Sequence, residues 1–106
     1  IQPAIDRYQN ESRRLFEVLD THLADNEWLA GEYSIADIAN WCWVRTHNWS
    51  GVSIDGLTNL EDWKNRMYEQ PGMIQGTKVP VSRESILKNE KDEKEFIKNA
   101  EKMVKK

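Results

Sequence analysis

At 106 residues, the chain is long enough to bury one hydrophobic core but short for two independent domains. Hydrophobic residues make up 39% and charged residues 31%, as in ordinary soluble globular proteins, and no apolar run approaches the ~18 residues that a membrane-spanning helix needs. The net charge of −3, without a dense basic face, argues against nucleic acid as a partner.

The termini and the single cysteine bear on cellular context. The chain begins Ile1-Gln2-Pro3, with neither an initiator Met nor a signal-peptide pattern, so it resembles a segment of something longer. Cys42 has no second cysteine with which to form an internal disulfide. We therefore expect a cytoplasmic protein.

The first predicted element is an amphipathic helix from about Pro3 to Ala24. Its apolar residues recur at steps of three and four, with Ser12 filling one gap: Ile5, Tyr8, Leu15, Leu19 and Leu23. We expect this stripe, including Tyr8, to be buried, and the opposite face to be solvated: Asp6, Gln9, Arg13, Glu17 and Asp20. Phe16 and Val18 make the apolar stripe wider than the remaining helices need. The chain should therefore expose apolar surface, and either self-associate or be marginally stable.

The segment after Asn26 predicts a fixed helix start. The Ser34 hydroxyl is placed as an N-cap, and the Asp37 carboxylate, three residues on, can accept from the Ser34 amide in a variant of the capping box. Tyr33 and Ile38 are spaced as a hydrophobic staple. These devices give Ser34 and Asp37 a structural rather than a catalytic role.

The helix that begins at Ile35 is apolar nearly all round as far as Arg45, which predicts a core helix. Trp41 and Trp43 cannot face the same way, so one should pack inward. Cys42 is expected in the core, where burial would blunt its thiol.

A loop follows, and then Thr58 and Glu61 predict a second capping box. This box opens a helix whose apolar face carries Leu60, Trp63 and Met67, with Tyr68 as a further candidate. The helix stops at Gln70-Pro71-Gly72, and Met73 to Gly76 should form a short turn.

Beyond Pro80 the chain becomes rich in Lys, Glu and Asn, and its apolar residues at helical spacing predict a final helix, Asp92 to Val104. Those residues are Phe96, Ile97, Ala100, Met103 and Val104; Ile86 and Leu87 precede the helix. No strand pattern is present. We predict an all-α bundle of four or five helices, with residues 1–80 as the domain core and 81–106 as a charged extension.

Residues 29–39, together with Trp28, Trp41 and Trp43, closely resemble the start of the core helix in glutathione-transferase C-terminal domains. Residues 5–11 and 57–71 resemble the flanking helices of the nu-class bacterial and nitrogen-regulator-like fungal branch. A Pro that relatives commonly carry between the two tryptophans is replaced by Cys42, which weakens the expected kink.

This resemblance implies an enzyme that uses glutathione as co-substrate, either to conjugate electrophiles or to reduce disulfide bonds. It implies that Arg7 binds glutathione, that Trp41 is a candidate for the acceptor-site wall, and that the protein is a homodimer. The thioredoxin-like domain that holds most of the thiol chemistry in this family lies outside these residues. The chain alone is therefore expected to be inactive.

The sequence leaves other roles open for several of these residues. Arg7 could instead form a surface ion pair with Asp6 or Glu11. His22 and His47 have no partner at metal-ligand spacing, so no metal is expected. Related helical domains also serve as non-catalytic interaction modules in translation factors and regulatory scaffolds, and that role is the alternative to an enzyme.

Overall fold

The computed structural model describes residues 1–82, 84 and 90–104. These residues contain helices and no strand, which confirms the all-α class: α1 (Gln2–Leu23), α2 (Ile35–Val44), α3 (Thr58–Glu69), α4 (Met73–Gly76) and α5 (Glu90–Val104). None of the described helices is both long and apolar enough to cross a membrane. The chain divides into two compact units, Ile1–Gln70 and Pro71–Lys106. The domain boundary expected near residue 80 stays a prediction.

The core of the first unit forms around α3, which packs against both α1 and α2. Leu60, Trp63 and Met67 recur at steps of three and four and are completely buried, so the predicted inner face of α3 is confirmed. The remaining buried apolar side chains come from the other helices and from the loop before α3: Phe16, Leu23, Trp41, Val44, Val52, Ile54 and Leu57.

The buried face of α1 differs from the prediction. Phe16 and Leu23 are buried, but Tyr8, expected in the core, is 70% exposed, and Leu15 and Val18 are about half exposed. The helix turns the side carrying Phe16 toward α3, and this rotates the predicted stripe partly into solvent. The exposed residues Tyr8, Leu15 and Val18, here called the α1 surface, confirm the expectation of exposed apolar area. Self-association stays a prediction.

The polar side chains of α1 that were expected in solvent instead hold the connection between α2 and α3. Gln9 Nε2 donates to the Ser50 carbonyl at 3.0 Å. Arg13 donates from Nη1 to the Ser53 carbonyl at 2.8 Å and from Nη2 to the Asp55 carbonyl at 3.0 Å. The prediction that Gln9 and Arg13 are solvated was therefore wrong. The two side chains are four residues apart, so they lie on the same face of α1 and both reach the segment between α2 and α3.

The start of α3 also corrects a prediction. Leu57, not Thr58, is the N-cap residue, and no side chain of this segment makes a capping hydrogen bond. Asp20 of α1 supplies it instead, since its Oδ1 accepts from the Leu60 backbone N–H at 2.9 Å. A carboxylate at a helix N-terminus satisfies an orphan donor and complements the helix dipole. The cap of α3 is thus a tertiary contact rather than a local one.

Helix α2 is buried on one side only, which makes the prediction of a core helix wrong for this chain. Trp41 and Val44 are buried, whereas Ile35 is 83% and Trp43 is 78% exposed. Cys42, expected in the core, is exposed as well. Ile35, Cys42 and Trp43, which are all exposed, are here called the α2 surface.

The second unit contains the predicted turn and final helix. α4 follows Gly72, whose φ of +84° favours glycine. α5 begins two residues before the predicted Asp92, and Phe96 and Ile97 on it remain 42% and 49% exposed. Ile86 and Leu87 lie outside the described residues.

Candidate functional site

The segment that enters α2 contains both hydrogen bonds of the predicted capping box. The Ser34 side chain accepts from the Ala36 backbone N–H at 3.2 Å. It also accepts from the backbone N–H of Asp37, the third residue of the helix. Asp37 Oδ2 accepts from the Ser34 backbone N–H at 3.0 Å. Ser34 itself is extended, as an N-cap residue should be.

Asp37 makes further contacts that its spacing from Ser34 does not indicate. Its Oδ1 accepts from the Leu29 backbone N–H at 3.0 Å and from Trp63 Nε1 on α3 at 2.9 Å. The side chain is completely buried. A buried carboxylate is tolerated when donors satisfy it, and here the donors come from the loop before α2, the helix start and α3. Asp37 therefore ties three segments together.

Trp41 points into the core and Trp43 points outward. Trp41 is 2% exposed, its Nε1 donates to the Lys64 carbonyl at 3.2 Å, and its ring meets the edge of Tyr68 at a centroid distance of 5.0 Å. The guanidinium of Arg45 lies 5.2 Å from the centroid of the same ring. Trp41 therefore offers little surface to a small molecule, and its acceptor-site role stays a prediction. The exposed Trp43 is better placed for such a role.

Arg7 is exposed on α1, and the two acids considered as its partners are occupied. Asp6 Oδ1 accepts from Gln2 Nε2 at 2.7 Å. The Glu11 carboxylate is held by Arg14, with Nε to Oε2 at 2.9 Å and Nη2 to Oε1 at 2.6 Å. Within the described parts of the chain, Arg7 therefore keeps a guanidinium with no hydrogen bond or ion pair. Its binding of glutathione stays a prediction.

Charge near Arg7 is consistent with this arrangement. The hydrogen bonds from Arg14 lower the pKa of the Glu11 carboxyl below its usual value, and the positive charges of Arg14 and then Arg7 add to that effect. The same pair raises the pKa of Arg14. Glu11 therefore keeps its negative charge to a lower pH than an isolated glutamate would.

The two histidines are engaged by backbone carbonyls. His22 Nε2 lies 2.8 Å from the Leu29 carbonyl, and His47 Nδ1 lies 2.7 Å from the Val52 carbonyl. Each of these ring nitrogens must carry its proton, because a carbonyl can only accept. Among the described residues, no group of three or more His, Cys, Asp or Glu side chains is arranged to hold a metal ion.

Residues 2–71 match the family described as glutathione S-transferase, C-terminal domain. The disulfide-bond oxidoreductase YfcG of Escherichia coli is 41% identical over 69 residues, which cover 64% of this chain and 32% of that protein. The disulfide-bond oxidoreductase YghU of the same organism is 33% identical over 84 residues, or 72% of this chain and 29% of YghU.

A third relative carries a different name. The glutathione S-transferase GstB of Escherichia coli is 32% identical over 82 residues, which cover 76% of this chain and 39% of GstB. The chain therefore spans about a third of the length of the curated relatives it matches.

Proposed function

Because the chain belongs to the family of glutathione S-transferase C-terminal domains, we propose that it is the helical domain of a cytoplasmic, nu-class enzyme that uses glutathione. The full-length gene product would conjugate glutathione to small electrophiles or reduce disulfide bonds with it. The names of the relatives support both reactions. The chain alone would be inactive, since the thiol chemistry of this family resides mostly in a thioredoxin-like domain.

The observation that carries this proposal is Arg7, which has no hydrogen bond or ion pair among the residues that the structure describes. A guanidinium binds carboxylates through two parallel hydrogen bonds, and glutathione has two carboxylates. Arg7 is exposed, and its nearest acidic neighbours are held by Gln2 and Arg14. A free cation of this kind can bind an anionic ligand without first breaking an internal ion pair.

The two exposed apolar surfaces support the remaining parts of the proposal. Trp43 on the α2 surface offers a large aromatic face to an acceptor substrate or to the thioredoxin-like domain. The α1 surface offers Leu15 and Val18 to a second copy in a homodimer. Burial of such side chains contributes roughly 25 cal/mol per Å² of apolar area removed from water.

The exposed α1 and α2 surfaces also favour an alternative function, a non-catalytic interaction module. Exposed apolar area of this kind can serve for assembly as readily as for substrate binding. The two functions differ in whether the full-length gene product turns over substrate.

The decisive experiment assays the full-length gene product with glutathione and either a chloronitrobenzene electrophile or hydroxyethyl disulfide. We expect turnover of at least one of them. We expect R7Q to lower kcat/KM by about tenfold, because the variant loses one charge-assisted hydrogen-bonded contact with glutathione. K78Q removes one positive charge at an exposed position and should leave kcat/KM unchanged. A folded protein that turns over neither substrate would favour the interaction module.

Dimerisation is tested separately by sedimentation at decreasing protein concentration. Replacing Leu15 and Val18 together by Lys should shift the protein toward monomer, because charge on the α1 surface opposes its burial. A stable monomer at high concentration before any substitution would contradict the proposed homodimer.

A further inference from the structure

Arg7, Glu11 and Arg14 lie within about two turns of α1. The Glu11 carboxylate is the one acid within reach of both arginines on this face of the helix. Arg7 and Glu11 are four residues apart, and Glu11 and Arg14 are three apart, so both arginines are helical neighbours of the same acid. The structure shows which one holds it. Glu11 makes two hydrogen bonds to Arg14, at 2.9 and 2.6 Å, and none to Arg7.

Helix geometry explains why Glu11 pairs with Arg14 rather than with Arg7. Pairs in which the acid precedes the base along the helix are better oriented than the reverse. Glu11 precedes Arg14 but follows Arg7. The pair with Arg14 also uses both carboxylate oxygens in a fork-to-fork contact, which adds geometric specificity.

From this arrangement we infer that Arg14 is a positioning residue, which holds Glu11 so that Arg7 stays free for an anionic ligand. The identity of the ligand, a carboxylate of glutathione, rests on the function proposed above. The role of Arg14 toward Arg7 does not, because it depends only on the competition for Glu11. When Arg14 is removed, the same carboxylate becomes an internal competitor for Arg7.

The first test needs no ligand and uses the 106-residue chain. In R14Q, the Arg7 Nε–H should exchange more slowly with water, as measured by nitrogen-15 NMR, because Glu11 now accepts from it. In R14Q/E11Q that protection should disappear. Unchanged exchange at Arg7 in R14Q would overturn the inference, whatever the function of the protein.

The second test measures glutathione affinity of the full-length gene product by calorimetry. We expect R14Q to weaken binding by about twofold, the size of an exposed i,i+4 pair, while E11Q leaves it unchanged. R14Q/E11Q should restore the unmodified affinity. If charge alone were responsible, E11Q would strengthen binding as much as R14Q weakens it, and that symmetrical result would contradict the inference.

The two tests separate failure of the inference from failure of the proposed function. If R7Q leaves glutathione affinity unchanged, the proposed ligand of Arg7 is wrong, and the NMR experiment alone decides the role of Arg14. If R7Q weakens binding but R14Q does not, the proposed function stands and the role of Arg14 is refuted.

Discussion

Replacement of Asp37 by Ala should be among the most damaging single changes in the first unit. The carboxylate accepts from the Leu29 and Ser34 backbone amides and from Trp63 Nε1, all at 2.9 to 3.0 Å, and it is completely buried. D37A would leave these donors without a partner in a site that water reaches poorly. An unsatisfied buried donor costs about 1–3 kcal/mol.

The three losses do not simply add, because the donors share one acceptor and the loop before α2 can relax. We expect D37A to lower the free energy of unfolding by about 3–5 kcal/mol. Domains are stable by only about 5–15 kcal/mol, and one of this size lies near the lower end. The variant should therefore retain no more than about 2 kcal/mol and unfold at a low urea concentration.

Urea denaturation followed by tryptophan fluorescence and far-UV circular dichroism measures this loss. D37N is the matched control, because it keeps the shape and one acceptor oxygen but presents an amide where a carboxylate oxygen stood. It should cost less than D37A, about 1–3 kcal/mol. S34A, which removes only the local cap, should cost about 1 kcal/mol. A cooperative unfolding transition for D37A within about 1.5 kcal/mol of the unmodified chain would refute the reasoning.

Further predictions concern the same unit and are measured by urea denaturation, except where hydrogen exchange is named. D20A should destabilise the chain by about 1 kcal/mol because the Leu60 N–H loses its cap, and D20N should retain part of that stability; equal stability of D20A and the unmodified chain would contradict the tertiary cap. W41A should cost about 3–5 kcal/mol, whereas W43A should stay within about 0.5 kcal/mol, since only the first side chain is buried. R13Q should speed amide exchange in residues 50–57 while R13K slows it again only in part, because a lysine cannot reach two carbonyls with a planar fork; unchanged exchange in R13Q would show that Arg13 does not hold this loop.

The start of α2 was predictable because both members of its capping box lie within three residues of each other. Ser34 and Asp37 carry the pattern in the sequence, and both hydrogen bonds are present. The other partners of Asp37 were not predictable, since Leu29 lies in an irregular loop and Trp63 is 26 residues away. No local spacing encodes such contacts.

The start of α3 shows the opposite outcome for a similar pattern. Thr58 and Glu61 have the spacing of a capping box, yet the cap comes from Asp20, 40 residues earlier in sequence than Leu60. The Asp20 carboxylate and the Thr58 hydroxyl compete for the same unpaired backbone N–H groups at the start of α3. The spacing of residues in the sequence indicates only the local hydroxyl.

The orientation of the helices was the least predictable feature of the candidate site. The spacing of Trp41 and Trp43 showed that they must diverge but not which one turns inward. On α1, the apolar stripe was correctly expected to exceed what the chain could cover, but Tyr8 was assigned to the wrong side. Likewise, whether Arg7 forms an ion pair depends on Gln2 and Arg14, which bind its two acidic neighbours. The sequence alone does not show which of these pairs forms.

The contacts that α1 makes with the segment between α2 and α3 have a consequence for variation in this region. Gln9 and Arg13 donate to main-chain carbonyls of that segment, and every amino acid supplies a carbonyl. Val52, Ile54 and Leu57 of that segment are buried in the core, but its exposed side chains can change while these contacts are kept. Gly51 is the exception, because it has a φ of +73° and a Cβ there would lie 2.6 Å from Gln9 Nε2.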